Sequence, residues 1–256
     1  MTAENTLADG EVAINLRRDG KGAPLLFLHG ALGQFSWPAA LASLASRFDV
    51  IAPDLPGFGA TPRPERVTRV EDIAYVMLDL IERLGAGPVH LVGHSLGGWV
   101  ALEMAIRSTA SIRSLVLADA AGIRVRDVPR ADLFRHGPTD LAKLVYATGA
   151  DQAEWLANAE NAMVHEANRY TLARLSWQPQ LHNPQLQKWL HRIHVPTLVV
   201  WGDQDRVLPP AHAHALAAAI DGATVALMPG CGHMAPIERP EAFSDIVTRF
   251  IDGVTP

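Results

Sequence analysis

One cysteine, Cys231, is all this chain of 256 residues contains. That excludes an intramolecular disulfide and any cysteine-rich metal centre, and it fits a reducing compartment. Clustered basic charge is also lacking. The 22 Lys and Arg are scattered against 27 Asp and Glu, for a net charge of −5. Neither a nucleic-acid footprint nor a polybasic membrane patch is expected from such a chain. No apolar run approaches the roughly 20 residues that span a bilayer. The opening M-T-A-E-N-T-L-A-D-G is polar and acidic and does not read as a secretory signal. Repeats and low-complexity tracts are missing as well. The expectation is a soluble, cytoplasmic protein acting on a small molecule, with no nucleic-acid or membrane partner; a homodimer stays open.

What is there is a 48% hydrophobic chain in which apolar runs of strand length alternate with helical patterns. This rhythm indicates an α/β fold with a mostly parallel central sheet covered on both faces. Strands are expected at 11–17, 25–28, 48–53, 88–93, 112–119, 195–201 and 223–228. Helices are expected at 37–46, 70–85, 95–108, 210–220 and 240–251. Between about Gly122 and His194 the rhythm breaks into helical sequence with no convincing strand. The reading is a core of 1–121 and 195–256 with a helical cap at 122–194, inserted over the sheet edge where α/β folds bind ligands.

Residues 93–98 read G-H-S-L-G-G, a G-x-S-x-G pattern at a strand-to-helix junction. It singles out the Ser95 hydroxyl as a nucleophile. A hydroxyl needs a base, and His233 is the candidate, in a Gly- and Pro-rich loop after the last expected strand. The base needs a carboxylate to fix its tautomer. Asp205 is preferred; Asp203 reads as a turn brace, and Asp119, at the end of another strand, also reaches that edge. Two donors are needed for an oxyanion. Leu96 N–H supplies one, and the loop H-G-A-L-G supplies the other from Ala31, with Leu32 as the alternative. His94 and His29 read as structural. Glu238 reads as an anchor of the His233 loop, and Asp54 and Gly57 as a turn facing the pocket.

The ordered motifs H-G-A-L-G, D-L-P-G-F-G, G-H-S-L-G-G, W-G-D-Q-D-R-V-L-P and G-H-M-A-P-I-E-R-P, within residues 11–252, resemble the α/β-hydrolase superfamily in its compact, capped group. The family's G-x-x-D-x-x-x-P pattern places the acid four residues before Pro209, at Asp205. The resemblance implies a serine hydrolase using an acyl-enzyme and no cofactor or metal. His191 with His194, and His212 with His214, have no Cys or carboxylate to complete a metal site. A small, largely apolar ester or lactone is the expected substrate. Leu32, Phe35, Trp99, Trp155, Trp177 and Met234 are the expected pocket residues. Haloalkane dehalogenases and epoxide hydrolases of the family use aspartate at the elbow and are excluded. Carbon–carbon hydrolases of ring-cleavage products remain an alternative, although they typically carry Asn and Trp where this chain has His94 and Met234. Arg169 and Arg174 are open as carboxylate binders for that branch. A cofactor-free perhydrolase and a non-catalytic small-molecule binder are further alternatives.

Overall fold

Alternation along the central strands builds the sheet. In β3 (Pro24–Leu28), Leu26 and Leu28 enter one hydrophobic core, and Leu25 and Phe27 enter another on the opposite face. The computed structural model describes residues 3–9, 12–34, 37–148 and 159–254. The other strands are β1 (Ala3–Asp9), β2 (Val12–Asp19), β4 (Asp49–Pro53), β5 (Val89–His94), β6 (Ile112–Ala118), β7 (Thr197–Gly202) and β8 (Thr224–Met228). Their order is β1-β2-β4-β3-β5-β6-β7-β8. The pairs β1–β2 and β2–β4 are antiparallel, and the rest are parallel.

The helices are α1 (Ala39–Ala45), α2 (Val70–Leu84), α3 (Leu96–Arg107), α4 (Pro138–Val145), α5 (Ala159–Ser176), α6 (Ala211–Ala219), α7 (Ala235–Glu238) and α8 (Pro240–Asp252). Helix α2 shows why they form. Val70, Ile73, Ala74, Met77, Leu80 and Ile81 recur at helical spacing and are buried. Asp72 accepts the Arg69 N–H at 2.9 Å to cap its start, and Gly85 ends it at φ 59°. Helices α2, α3 and α6 bury residues in the core of one face, while α1 and α8 bury theirs in the other.

Strand β1 was not expected from the sequence. Its A-E-N-T-L-A-D is mostly polar, and it is an edge strand paired only with β2, from Ala3↔Arg18 to Asp9↔Val12. An edge strand of this kind needs no apolar run. Between β6 and β7, the described residues hold α4, α5 and two 3-10 turns, Leu133–Arg135 and Gln187–Arg192, together with a single bridge from Gly122 to His182. Among the described residues, no helix is long and apolar enough to cross a membrane.

The topology places the site. The chain leaves β3 for β4 on one side, then returns to β5 on the other side of β3. A crevice opens at the carboxyl ends of strands where the order reverses in this way. The H-G-A-L-G loop follows β3, and Ser95 follows β5.

Candidate active site

Ser95 has φ 53° and ψ −113°, a conformation strained for a residue with a side chain. It is fixed by close backbone approach. A Cβ on Gly93 would lie 2.4 Å from the Gly97 carbonyl oxygen, and one on Gly97 would lie 2.1 Å from that of Leu28. The elbow thus requires both glycines. Trp99 N–H and Ala121 N–H donate to the Ser95 carbonyl, and Ser95 N–H donates to Ala118 O.

The loop after β8 brings His233 to the same edge. His233 Nε2 lies 2.9 Å from Ser95 Oγ, and Nδ1 lies 2.7 Å from Asp205 Oδ2. All three residues are buried. Asp205 also accepts the Val207 and Leu208 N–H groups at Oδ1. An acceptor-only carboxylate fixes the proton on Nδ1, so Nε2 accepts from the Ser95 hydroxyl. Of the three carboxylates left open by the sequence, Asp205 is the one hydrogen-bonded to His233. Asp203 accepts Gly230 N–H, bracing the ends of β7 and β8 instead of its own turn. Asp119 accepts Gly202 N–H at Oδ1, and its Oδ2 has no hydrogen-bond partner among the described residues. Burial, and then the charge of Asp205, push the Asp119 carboxyl well above the usual range.

Asp119, Asp205 and His233 are also, among the described residues, a group whose ligand atoms lie within 4.8 Å of one another. The atoms of Asp205 and His233 that a cation would need are already engaged in the Nδ1–Oδ2 and Nε2–Oγ bonds.

Supporting contacts hold the two catalytic-edge loops. His94 Nε2–H donates to the His233 carbonyl at 2.8 Å. Burial, then the neighbouring His233, lowers the His94 pKa to about 3, so it is a neutral donor. Glu238 accepts Gly232 N–H at 2.8 Å and Ala147 N–H at 2.9 Å, and His233 N–H donates to Val145 O. His29 bridges Gly30 O and Leu55 N–H. Asp54 accepts from Asn15 Nδ2 and Ala60 N–H, and Gly57 O accepts from Thr171 Oγ. Cys231 is fully buried, and burial pushes its thiol up, which fits a packing residue.

Beside Ser95, Gly33 N–H donates to Gly30 O and closes a turn whose central residues are Ala31 and Leu32. A Cβ on Gly30 would stand 3.2 Å from Ser95 Cβ. Ser95 and His233 open into a cavity of about 370 Å³ between this turn and the helical segment that follows β6. Its walls are mainly apolar, with Leu32, Leu133, Phe134, Leu172, Met234 and Ile237 among them.

The family profile described as the alpha/beta hydrolase fold matches residues 23–240. The chain belongs to the α/β-hydrolase family. It is 30% identical over 260 residues to a 2-hydroxy-6-oxo-6-(2'-aminophenyl)hexa-2,4-dienoic acid hydrolase of Metapseudomonas resinovorans, covering 94% of this chain and 88% of the relative. A crystal structure of a membrane phospholipase A, a bacterial virulence factor, superposes with a TM-score of 0.87 at 27% identity, over 99% of this chain and 86% of that one. A thermophilic esterase from Thermogutta terrifontis gives a TM-score of 0.78 at 26% identity, over 100% and 99%.

The pocket residues expected from sequence fare unevenly within this hydrolase fold. Leu32 and Met234 line the cavity. Phe35 and Trp155 fall outside the described residues. Trp99 does not border the cavity. It is 2% exposed, packs on Gly122, and donates Nε1–H to Glu103. It meets the segment that follows β6, which position after the elbow alone could not reveal. Trp177 is 62% exposed and stands on the outer side of Phe134, with ring centroids 5.2 Å apart. Phe134 takes the lining role. Leu96 opens α3 and Ala31 lines the cavity beside Ser95. Among the arginines, Arg169 reaches the cavity, but its guanidinium donates to the carbonyls of His136 and Phe134.

Sequence reasoning left Arg169 open as a carboxylate binder but missed the rest of the polar wall. Asn161, His165 and Arg169 of α5, with Leu172, line the cavity at successive helical turns. That i, i+4, i+8 spacing was readable in N-A-M-V-H-E-A-N-R once α5 was known to face Ser95. Gln34, two residues after Leu32, was missed too.

Proposed function

We propose that this hydrolase is a serine esterase working through an acyl-enzyme. The observation that carries the reading is the buried Asp205–His233–Ser95 hydrogen-bond chain opening into a mainly apolar cavity. Ser95 Oγ bonds to the ester carbonyl carbon as His233 Nε2 takes its proton. The carbonyl oxygen becomes an oxyanion, received by the N–H groups of Leu96, at the start of α3, and Ala31, in the adjoining turn. Collapse breaks the carbon–oxygen bond to the alcohol, which leaves with the proton from Nε2. Water then gives a proton to Nε2 and its oxygen to the acyl carbon; Ser95 Oγ departs and recovers the proton as the acid is freed. Asp205 holds the Nδ1–H and stabilises the imidazolium in both halves. The segment 122–194 acts as a cap, supplying the cavity's second wall. The apolar lining favours a small ester or lactone with an apolar acyl or alcohol part.

A carbon–carbon bond hydrolase is the second reading. It is favoured by the Metapseudomonas relative, and weakened by His94 and Met234, which stand where that branch typically has Asn and Trp. A p-nitrophenyl ester series of rising acyl length, run on wild type beside Ser95→Ala, tests the choice. The esterase reading expects turnover with a chain-length optimum, and a loss in the variant of at least about a thousandfold in kcat. No turnover on any ester, with cleavage of a vinylogous diketone acid, would replace it with the second reading.

A further inference from the structure

Two polar side chains in the cavity wall have no hydrogen-bond partner among the described residues. His165 is 1% exposed, and neither ring nitrogen has a hydrogen-bond partner among the described residues. The Glu166 carboxylate lies 3.7 Å from its Nδ1, beyond hydrogen-bond reach. Both polar atoms of the Gln34 amide are likewise buried and unpartnered among the described residues. Buried polar groups in folded proteins are almost always satisfied, so each such exception asks for an explanation.

The two groups come from elements that are bound to each other. Asn168 Nδ2–H donates to Leu32 O at 2.8 Å, tying α5 to the turn that leads into Gln34. His165 precedes Asn168 by three residues and so lies on the same face of α5. Both His165 and Gln34 line the cavity that holds Ser95.

From this placement, we propose that His165 and Gln34 form a second recognition point for a neutral oxygen, a ketone or hydroxyl, that the substrate carries away from its ester carbonyl. The inference rests on the esterase reading and narrows it from plain alkyl esters to oxygenated ones. A neutral group fits the charges around the point. Burial keeps His165 toward its neutral form, which offers one donor and one acceptor. The Glu166 carboxylate facing Nδ1 repels an anion. The Arg169 guanidinium is held by two carbonyl oxygens and lies 3.9 Å from Glu166.

The test compares three esters: p-nitrophenyl hexanoate, its analogue with a ketone at the penultimate carbon, and an analogue ending in a carboxylate. Wild type is expected to prefer the ketone ester over the plain one by about tenfold in kcat/KM, the effect of one net hydrogen bond. In His165→Phe the ratio falls toward one, and His165→Gln, which restores a donor and an acceptor, recovers most of it. Gln34→Leu serves if His165→Phe does not fold. The same esters are titrated calorimetrically into Ser95→Ala, where the ketone ester is expected to bind about tenfold tighter. A ratio near one in wild type, a ratio untouched by both His165→Phe and Gln34→Leu, or preference for the carboxylate ester overturns the proposal. If no ester turns over but the binding preference holds, the esterase reading fails and the recognition point stands. If the esters turn over with equal kcat/KM and bind with equal affinity, the recognition point fails and the esterase reading stands.

Discussion

Two carboxylates, Asp119 and Asp205, stand beside one imidazole, and their hydrogen bonds divide the work. Asp205 receives three donors, from Val207, Leu208 and His233. Asp119 receives Gly202 N–H at one oxygen, and burial favours its neutral acid. In the proposed mechanism, the carboxylate that steadies the imidazolium is therefore Asp205. Asp205→Asn is expected to lower kcat by about ten-thousandfold, as loss of the correct tautomer does in other triads. Asp119→Asn keeps an amide oxygen for Gly202 N–H and is expected to cost less than about tenfold. Steady-state kinetics of the two variants would contradict this division if the order of their losses were reversed. At this scale the grouping of Ser95, His233 and Asp205 at one edge was legible because motif residues sit at fixed positions on a turn. Trp99 and Trp177 were not, because their placement depends on tertiary packing: Trp99 meets Gly122 after β6, and Trp177, just past α5, stacks on Phe134. A lone histidine such as His165 carries no motif, and what marks it is burial without a hydrogen-bond partner among the described residues.

At the scale of elements, the elbow and the His233 loop are clamped by His94, whose ring donates to the His233 carbonyl. Burial of that ring makes stability depend on pH. The folded-state pKa of His94, about 3, lies below its ordinary 6.5. Between those values the unfolded chain binds a proton that the folded chain refuses, so stability falls as pH falls. The slope from this one group is about 1.4 kcal/mol per pH unit. Urea unfolding of wild type from pH 6.5 downward is expected to be steeper than that of His94→Asn by about this amount; equal slopes would show that His94 is not the buried neutral donor described. Most elements were readable from periodicity, and α2 runs Val70–Leu84 where 70–85 was expected. The missed strand, β1, carried no apolar run. The two-residue G-E step between it and β2, glycine first, was the available hairpin signal. Within 122–194 the helical character was legible, but the face α5 turns to Ser95 is set by tertiary bonds such as Asn168 to Leu32.

For the molecule as a whole, the mostly parallel sheet with its order reversal at β3 and β5 brings together residues 138 positions apart, Ser95 and His233, at 2.9 Å. The order of motifs revealed the fold because each motif sits at a strand end that the topology gathers to one edge. The cavity's polar wall was hidden because it is assembled from the helical segment and the oxyanion loop, distant in sequence. The proposed chemistry depends above all on Ser95 being the nucleophile driven by His233. Labelling with a fluorophosphonate ester, followed by peptide mass mapping, examines that step without a choice of substrate. A single phosphonyl adduct is expected on Ser95, absent in Ser95→Ala and slowed by at least about a hundredfold in His233→Ala. Labelling at another residue, or at an undiminished rate in His233→Ala, would contradict it.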